Sequence, residues 1–233
     1  MTARVRVGVL AGTALGVALV GGCGGGDDFT EQSGKEIATT AKSAMGDLKS
    51  VKVKGAVTAD GQPVDIDLAL STAGDCTGTI GIAGGSTELL GVDGKVWLKP
   101  DAAFWKAAAP DTADQVQAIV GDKWVLFPDQ SGGFGELCDL DELLDELVQE
   151  HGASYSKAGE EKVEGDDVVA VTSKDDGETS TGYVRVDEPH YLVKMERTEG
   201  DEPGSVTFSG FDEEVEVEAP ADSEVADLSS LTG

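Results

Sequence analysis

Hydrophobic residues alternate with polar ones over much of the chain, which is the pattern of strands with one buried face. Segment 51–57 has valine at nearly every second position with lysines between, and segment 64–70 repeats the pattern with Val, Ile and Leu. Asp60-Gly61 separates these two segments, and Asp93-Gly94 joins two later ones. Asp-Gly pairs between alternating segments favour tight hairpins, so the chain predicts consecutive antiparallel strands.

Three segments interrupt the alternation with helical spacing. A capping-box sequence at Ser33 begins the first, which is predicted over 33–49. Residues 101–120 are rich in alanine and predict two short helices separated by Pro110. Asp139 is the predicted N-cap of the last helix, which has a stripe of leucines on one side.

The last third of the chain returns to alternating segments. The strands predicted there are 168–171, 183–186, 191–196, 206–211 and 215–217. Helices placed between two antiparallel runs indicate the α+β class, with one curved antiparallel sheet whose concave face is covered by helices. A sheet of about ten strands must curl, so helices that cover its concave face would enclose an apolar space.

The charge of the chain excludes several classes of function. It has 45 acidic against 17 basic residues and a net charge of −28. Binding to nucleic acid depends on clustered Lys and Arg, so we predict no nucleic acid partner. Two His and three Cys leave little for a zinc site or a His-based triad. We therefore predict no catalytic residue, no metal and no cofactor.

The N-terminus has the composition of a signal peptide. Arg4 and Arg6 precede an apolar stretch of 14 residues, 7–20. A membrane-spanning helix needs about 20 residues, so this stretch is too short to span and fits a secretory signal over 1–22. Val20-Gly21-Gly22-Cys23 then resembles the lipobox of bacterial lipoproteins.

The lipobox resemblance implies that Cys23 carries a diacylglycerol and becomes the mature N-terminus, although an ordinary secretory signal with an incidental cysteine is the alternative. Residues 23–32 read as a flexible tether, and 33–233 as the folded domain. Residues 1–22 contain two arginines and no acidic residue, so the chain from Cys23 has 15 basic and 45 acidic residues and a net charge of −30. We predict a location on the extracytoplasmic face of the cell membrane.

Two cysteines remain for the folded domain. An exported protein lies in a compartment that permits disulfides, so we predict a bond between Cys76 and Cys138. It would close a 63-residue loop and contribute roughly 4 kcal/mol in the chain-entropy description. A reactive or metal-binding pair is the competing interpretation, but no CxxC spacing or nearby His supports it.

This order of elements resembles the LppX/LprAFG family of actinobacterial envelope lipoproteins, which share a fold with LolA and LolB. The segments that carry the resemblance are 33–49, 51–55, 91–98, 104–105, 123–125 and 215–222. The resemblance implies a LolA-like half-barrel with a cavity that holds acylated lipids in some members. Those members are linked to the carriage of glycolipids or lipoproteins through the envelope.

The candidate ligand-binding residues are apolar positions near the expected cavity. They are Ile80, Ile82, Trp97, Phe104, Trp105, Trp124, Leu143 and Leu147. Five of the 12 aromatic residues lie within 97–127, either at the rim of a cavity or as ordinary core between helix and sheet. The helix at 139–151 is likewise either a movable lid or a plain covering helix.

Two hypotheses follow from these residues. In the first, a monomeric, membrane-tethered lipoprotein holds a lipid or glycolipid in its half-barrel and carries it without any reaction. In the second, an interaction or sensor lipoprotein of the envelope has a fully packed core and binds a partner through its acidic surface. An apolar space of several hundred Å³ would favour the first hypothesis.

Overall fold

One antiparallel sheet dominates the computed structural model, which describes residues 29–59, 61–127, 136–148, 153–175, 177–200 and 203–226. Within these residues the sheet has eleven strands and is accompanied by four α-helices. The strands are β1 Ser50–Ala59, β2 Gln62–Ser71, β3 Cys76–Ile82, β4 Gly85–Val92, β5 Lys95–Pro100, β6 Val125–Phe127, β7 Ser154–Val163, β8 Asp166–Asp175, β9 Glu178–Arg185, β10 Leu192–Glu199 and β11 Gly204–Ser209. The helices are α1 Gly34–Gly46, α2 Ala102–Ala108, α3 Ala113–Val120 and α4 Leu140–Val148.

The sheet consists of two meanders joined at the middle. The strand order is β6-β5-β4-β3-β2-β1-β11-β10-β9-β8-β7, so strands that are consecutive in the chain are neighbours in the sheet, except β6 and β7, which form its two edges. The pair of neighbours that is not consecutive in the chain is β1 and β11, in which Val53 lies opposite Phe208. The strands that come first and last in the chain, β1 and β11, therefore lie side by side in the middle of the sheet.

The two faces of the sheet differ in chemistry. On the face that we call the helix face, Val53, Leu68 and Phe208 belong to one buried apolar cluster together with residues of α4. On the opposite, outer face, neighbouring strands are joined by exposed ion pairs such as Lys54–Asp67 at 2.6 Å. The predicted alternation of buried and exposed positions is thus confirmed for the central strands.

The sheet curls toward the helix face. Gly55 lies on that face between Val53 and Val57, and a methyl group there would overlap the carbonyl oxygen of Ser205 on β11. Such a close approach of two strand backbones is permitted only by glycine and marks a tight bend. The predicted fold class, a curved antiparallel sheet with helices, is confirmed.

The strands divide the helix face into two ends. The disulfide end contains the turns at 71–76, 92–95 and 186–191. The far end contains the turns at 59–62, 82–85 and 199–204. These two names are kept below.

The helix boundaries follow the predicted caps. Glu36 N donates to Ser33 Oγ at 3.4 Å, and Ser33 N donates to Glu36 Oε2 at 2.9 Å, which completes the capping box. Glu142 N donates to Asp139 Oδ1 at 2.9 Å at the start of α4. Pro110 lies between α2 and α3, as predicted.

One predicted strand is absent and one observed strand was missed. Residues 215–217 have no strand conformation, and β1 and β11 are each already paired with two other strands. β7 was missed because it forms the edge of the sheet, and its side chains are mostly exposed and polar rather than alternating.

The tether prediction is wrong for residues 29–32. Phe29–Glu31 form a 3-10 turn, and Phe29 is buried against Ile37 and Val184 in a second apolar cluster. Its single aromatic ring has enough apolar area to order this short segment on the domain. The rest of the predicted tether, and the signal peptide with Cys23, lie outside the described residues.

Candidate functional site

The disulfide end of the helix face is closed by a covalent clamp. Cys76 at the start of β3 is bonded to Cys138, with a Cα–Cα distance of 5.4 Å, so the predicted disulfide is confirmed. Both sulfurs lie over Gly91 of β4, where a methyl group would be 2.6 and 2.7 Å from them. The bond therefore holds the segment that begins α4 directly against the sheet.

Behind this clamp, α4 fills the space over the strands. Leu140 and Leu144 are buried in the same cluster as Leu70, Leu89 and Leu98, and Leu98 has no exposed surface. A closely packed interior of this kind leaves little volume for a ligand. The strands under α4 are therefore ordinary core, whereas Tyr191, Leu192 and Phe211 at the same end stay partly exposed.

The far end of the same face is not closed in this way. Five aliphatic side chains there pack against the cluster but stay partly exposed, and we call them the apolar strip: Val57, Val64, Ile66, Ile82 and Met195. Val57, Val64 and Ile82 are directly opposite one another on β1, β2 and β3. The strip is therefore a continuous apolar surface across neighbouring strands.

Helix α2 borders the strip. A methyl group on Gly85 would overlap the backbone nitrogen of Phe104, so α2 lies directly on the start of β4. Phe104 is buried with 2% of its surface exposed, and Trp105 makes an edge-to-face contact with it at 6.2 Å. Asp101 fixes the helix by accepting hydrogen bonds from Phe104 N at 2.6 Å and Ser86 N at 3.1 Å.

Four of the predicted ligand-binding residues lie on or over the helix face. Ile80 is buried, Ile82 belongs to the apolar strip, and Leu143 packs against the same cluster. Phe104 sits beside them on α2, where its neighbour Trp105 is partly buried. The side chain of Leu147 lies outside the described residues.

The prediction that Trp97 and Trp124 line a cavity on the helix face is wrong. Trp97 lies between Val96 and Leu98, which face the helices, so it points to the outer face, opposite Leu126. Trp124 is also on that face, with Lys99 Nζ 5.6 Å from its ring centre. The sequence could not show this, because β5 is apolar on both faces and its parity is ambiguous.

A cleft of about 440 Å³ lies on the outer face beside Trp97. The C-terminal segment forms one wall, because Trp124 N donates to Glu224 O and Ala226 N donates to Trp124 O, both at 2.8 Å. This segment explains why Trp97 is only 6% exposed although it points away from the helices. The cleft is separated from the apolar strip by the sheet itself.

Polar interactions occupy the outer face of β9 and β10. Tyr183 Oη donates to Glu196 at 2.8 Å, and Lys194 Nζ lies 2.5 Å from the same carboxylate. Burial, followed by the hydrogen bond to Glu196, raises the pKa of Tyr183 to about 12. The hydrogen bond from Lys194, followed by that from Tyr183, lowers the pKa of Glu196. These paired charges make this face unsuitable for an acyl chain.

Two further observations concern metals and membranes. Among the residues that the structure describes, no group of three or more His, Cys, Asp and Glu side chains comes close enough to hold a metal ion. In the same part of the chain, no helix has both the length and the apolar character needed to cross a bilayer.

Comparisons with known proteins give a match at the level of structure. Neither a protein-family model nor a curated protein matches the sequence. The crystal structure of LprF from Mycobacterium bovis superposes with a TM-score of 0.57 over 81% of this chain and 97% of LprF, at 16% identity. The chain has the LprF fold. The lipoprotein LppX from Mycobacterium tuberculosis gives a TM-score of 0.54 over 78% of this chain and 97% of LppX, also at 16% identity.

LprF and LppX confirm the resemblance that the sequence indicated, and they do so for the fold. A LolA superfamily protein from Nitrosomonas europaea is also matched, over 82% of this chain and 96% of that protein, but with 9% identity and a TM-score of only 0.23. An overlap this low adds no argument. What LprF and LppX share with this chain is the curved sheet with its helices.

Proposed function

We propose that this protein is a lipoprotein, anchored to the membrane through Cys23, whose apolar strip binds the acyl chains of a lipid or glycolipid. The observation that carries the proposal is the partial exposure of five apolar side chains at the far end of a face whose strands are buried under α4 at the disulfide end, where Leu70, Leu89 and Leu98 are at most 1% exposed. Binding transfers apolar surface out of water and involves no chemical step. A carrier role follows from reversible binding of this kind.

The energetics favour an acyl chain as the occupant. Each buried methylene group contributes about 0.8 kcal/mol, and an acyl chain can follow the strip across several strands. Val57, Val64 and Ile82 supply a surface without hydrogen-bonding groups. The outer face of β1, β2, β9 and β10 offers ion pairs and hydroxyl groups instead, so on these strands the helix face is the one that suits such a ligand.

The anchor is supported by the sequence. Cys23 directly follows the apolar segment 7–20 and two glycines, and it has no partner cysteine because Cys76 and Cys138 are bonded to each other. Two acyl chains hold a protein on a bilayer stably, whereas one chain gives marginal binding. The expected test is a Cys23→Ser variant, which should move from the membrane fraction to the soluble fraction and lose incorporation of labelled fatty acid.

Ligand binding is tested on the exported Cys23→Ser protein by native mass spectrometry. The expected result is an additional mass that organic solvent extracts as a lipid. Two variants at neighbouring positions of β1 provide a matched pair: Val57→Asn places an amide in the strip, and Ala56→Asn places the same amide on the outer face. Val57→Asn should lose the lipid, and Ala56→Asn should keep it.

A protein that stays free of lipid after incubation with membrane extract would overturn the proposal. The second hypothesis, an interaction or sensor lipoprotein without a lipid ligand, would then be favoured. Equal lipid content in Val57→Asn and Ala56→Asn would instead show that the strip is not the binding surface.

A further inference from the structure

The attachment point of the N-terminal segment to the domain is set by one aromatic stack. The ring of Phe29 lies parallel to that of His190, with 3.9 Å between their centres and 7° between their planes. His190 belongs to the turn between β9 and β10, and its Nδ1 lies 3.2 Å from the carbonyl oxygen of Arg185. Lys157 Nζ donates to the carbonyl oxygen of Thr30 beside it. The segment is thus fixed at the disulfide end of the sheet.

The length of chain between this point and the proposed anchor is small. Phe29 follows Cys23 by six residues. A chain of six residues spans about 20 Å at most, whatever its conformation. The disulfide end, where Phe29 is held, therefore stays within about 20 Å of the lipid surface.

The far end is separated from this point by the length of the strands. β2 runs from Gln62 at the far end to Ser71 at the disulfide end, and ten residues of strand span about 30 Å. The apolar strip begins next to Gln62, at Val64. A domain held by its disulfide end consequently has room to place the strip on its distal side.

Electrostatics favours an orientation with the disulfide end toward the membrane over one in which the sheet lies flat on the membrane. The chain from Cys23 onward has a net charge of −30, so an anionic lipid surface repels the whole domain. Repulsion acts on a body that is held at one end, and it moves the free end outward. The charge and the attachment point therefore both favour a far end that lies away from the membrane.

We propose that the stack of Phe29 on His190 makes the disulfide end the membrane-facing surface of this protein and holds the open apolar strip away from the membrane that carries the anchor. The proposal rests on the lipid anchor at Cys23 given above. It makes the strip accessible to a lipid donor or acceptor on the distal side.

The test measures the distance of both ends of β2 from a bilayer. Single cysteines are introduced as Gln62→Cys and Ala73→Cys, both at exposed positions in or beside turns that flank β2. In the lipidated protein the introduced thiol is the one available for a fluorophore, because Cys23 is alkylated and Cys76 is bonded to Cys138. The labelled proteins are reconstituted in phosphatidylcholine–phosphatidylglycerol vesicles that contain an acceptor-labelled lipid, and energy transfer is recorded.

Transfer from Ala73→Cys should exceed transfer from Gln62→Cys several-fold. Insertion of about twenty Gly and Ser residues between Asp28 and Phe29 adds a flexible linker and should remove most of this difference while leaving the fold intact. Phe29→Ser should reduce the difference in the same direction, because it removes the stack on His190 and leaves the attachment to β7, where Lys157 contacts Thr30 and Gly34.

Two outcomes distinguish failure of the proposed orientation from failure of the proposed anchor. Protein that floats with the vesicles but gives equal or reversed transfer from the two positions overturns the orientation and leaves the anchor standing. Protein that does not float with the vesicles overturns both.

Discussion

The two ends of the helix face are built from the same strands and the same residue types, yet only one of them is a closed core. On β1, Val51 at the disulfide end is 1% exposed, whereas Val57 at the far end remains partly exposed. The difference lies above the sheet, where α4 and the Cys76–Cys138 bond cover the first end. Coverage by helices, and not the hydrophobicity of the strand, decides which half of the face can receive a ligand.

Removing the clamp should have the largest effect on this comparison. The double variant Cys76→Ala/Cys138→Ala, in the Cys23→Ser background, should lose about 4 kcal/mol of unfolding free energy, since the bond joins residues 62 positions apart. Urea denaturation measures the loss. Reduced Cys23→Ser protein should show a similar loss, and a change below about 1 kcal/mol would mean that packing alone holds α4 on the sheet.

Matched valine truncations on β1 compare the two ends directly. Val51→Ala should destabilise the protein by about 2 to 3 kcal/mol, because it removes two buried carbons and leaves a cavity. Val57→Ala should cost less than about 1 kcal/mol, because water already reaches that side chain. Both substitutions change β-propensity equally, so the difference in urea midpoint reports burial. Equal losses would show that the far end is as closed as the disulfide end.

A methyl group under α2 should open the far end further. Gly85→Ala overlaps the backbone of Phe104, so α2 must shift, at a cost of about 1 to 3 kcal/mol. The fluorescence of Trp105 should move toward that of a solvated indole. Gly46→Ala in α1 is the control, since a methyl group there meets nothing within 4 Å and should be neutral or slightly stabilising. Unchanged stability and unchanged Trp105 emission in Gly85→Ala would argue against the observed position of α2 on β4.

The outer face gives the smallest expected effect, and it appears only at alkaline pH. The pKa of Tyr183 is raised from 10 in the unfolded chain to about 12, first by burial and then by Glu196. The neutral phenol is therefore favoured by folding, and its contribution is complete below pH 10 and lost as the pH rises toward 12.

Stability measured across that range should fall less steeply in Tyr183→Phe than in the wild type. Glu196→Gln should lower the pKa of Tyr183 in a phenolate absorbance titration, but only in part, because burial is the larger cause. A phenol that titrates near 10 in the wild type would contradict the partly buried hydrogen bond from Tyr183 to Glu196.

The sequence predicted the fold where alternation and turn chemistry agree. Val92 and Lys95 face each other across Asp93-Gly94, both of which have positive φ, as the hairpin signal required. β7 gave no such signal, because most side chains of this edge strand are exposed and polar and therefore do not alternate.

The candidate site was predicted in part. Ile82, Phe104 and Leu143 lie on or over the helix face, as expected where alternation and helical spacing place apolar side chains toward a common interior. Trp97 was misplaced because its burial comes from the C-terminal segment, a contact between residues more than 120 positions apart that no local pattern encodes. Val57 and Val64 read as ordinary strand residues, since exposure depends on what lies above them.

The pairing of β1 with β11 also determines the order in which the sheet of this protein can form. Val53 and Phe208 come together only after more than 150 intervening residues have been synthesised, so the sheet has a high contact order at its centre. Until β11 arrives, the apolar strand β1 has an unpaired edge, and such edges favour association with other chains. Synthesis proceeds from the N-terminus, so the half of the molecule that carries most of the apolar strip is made first and protected last. The topology therefore makes folding of this protein slow. During this interval β1 is the strand that a chaperone would have to cover.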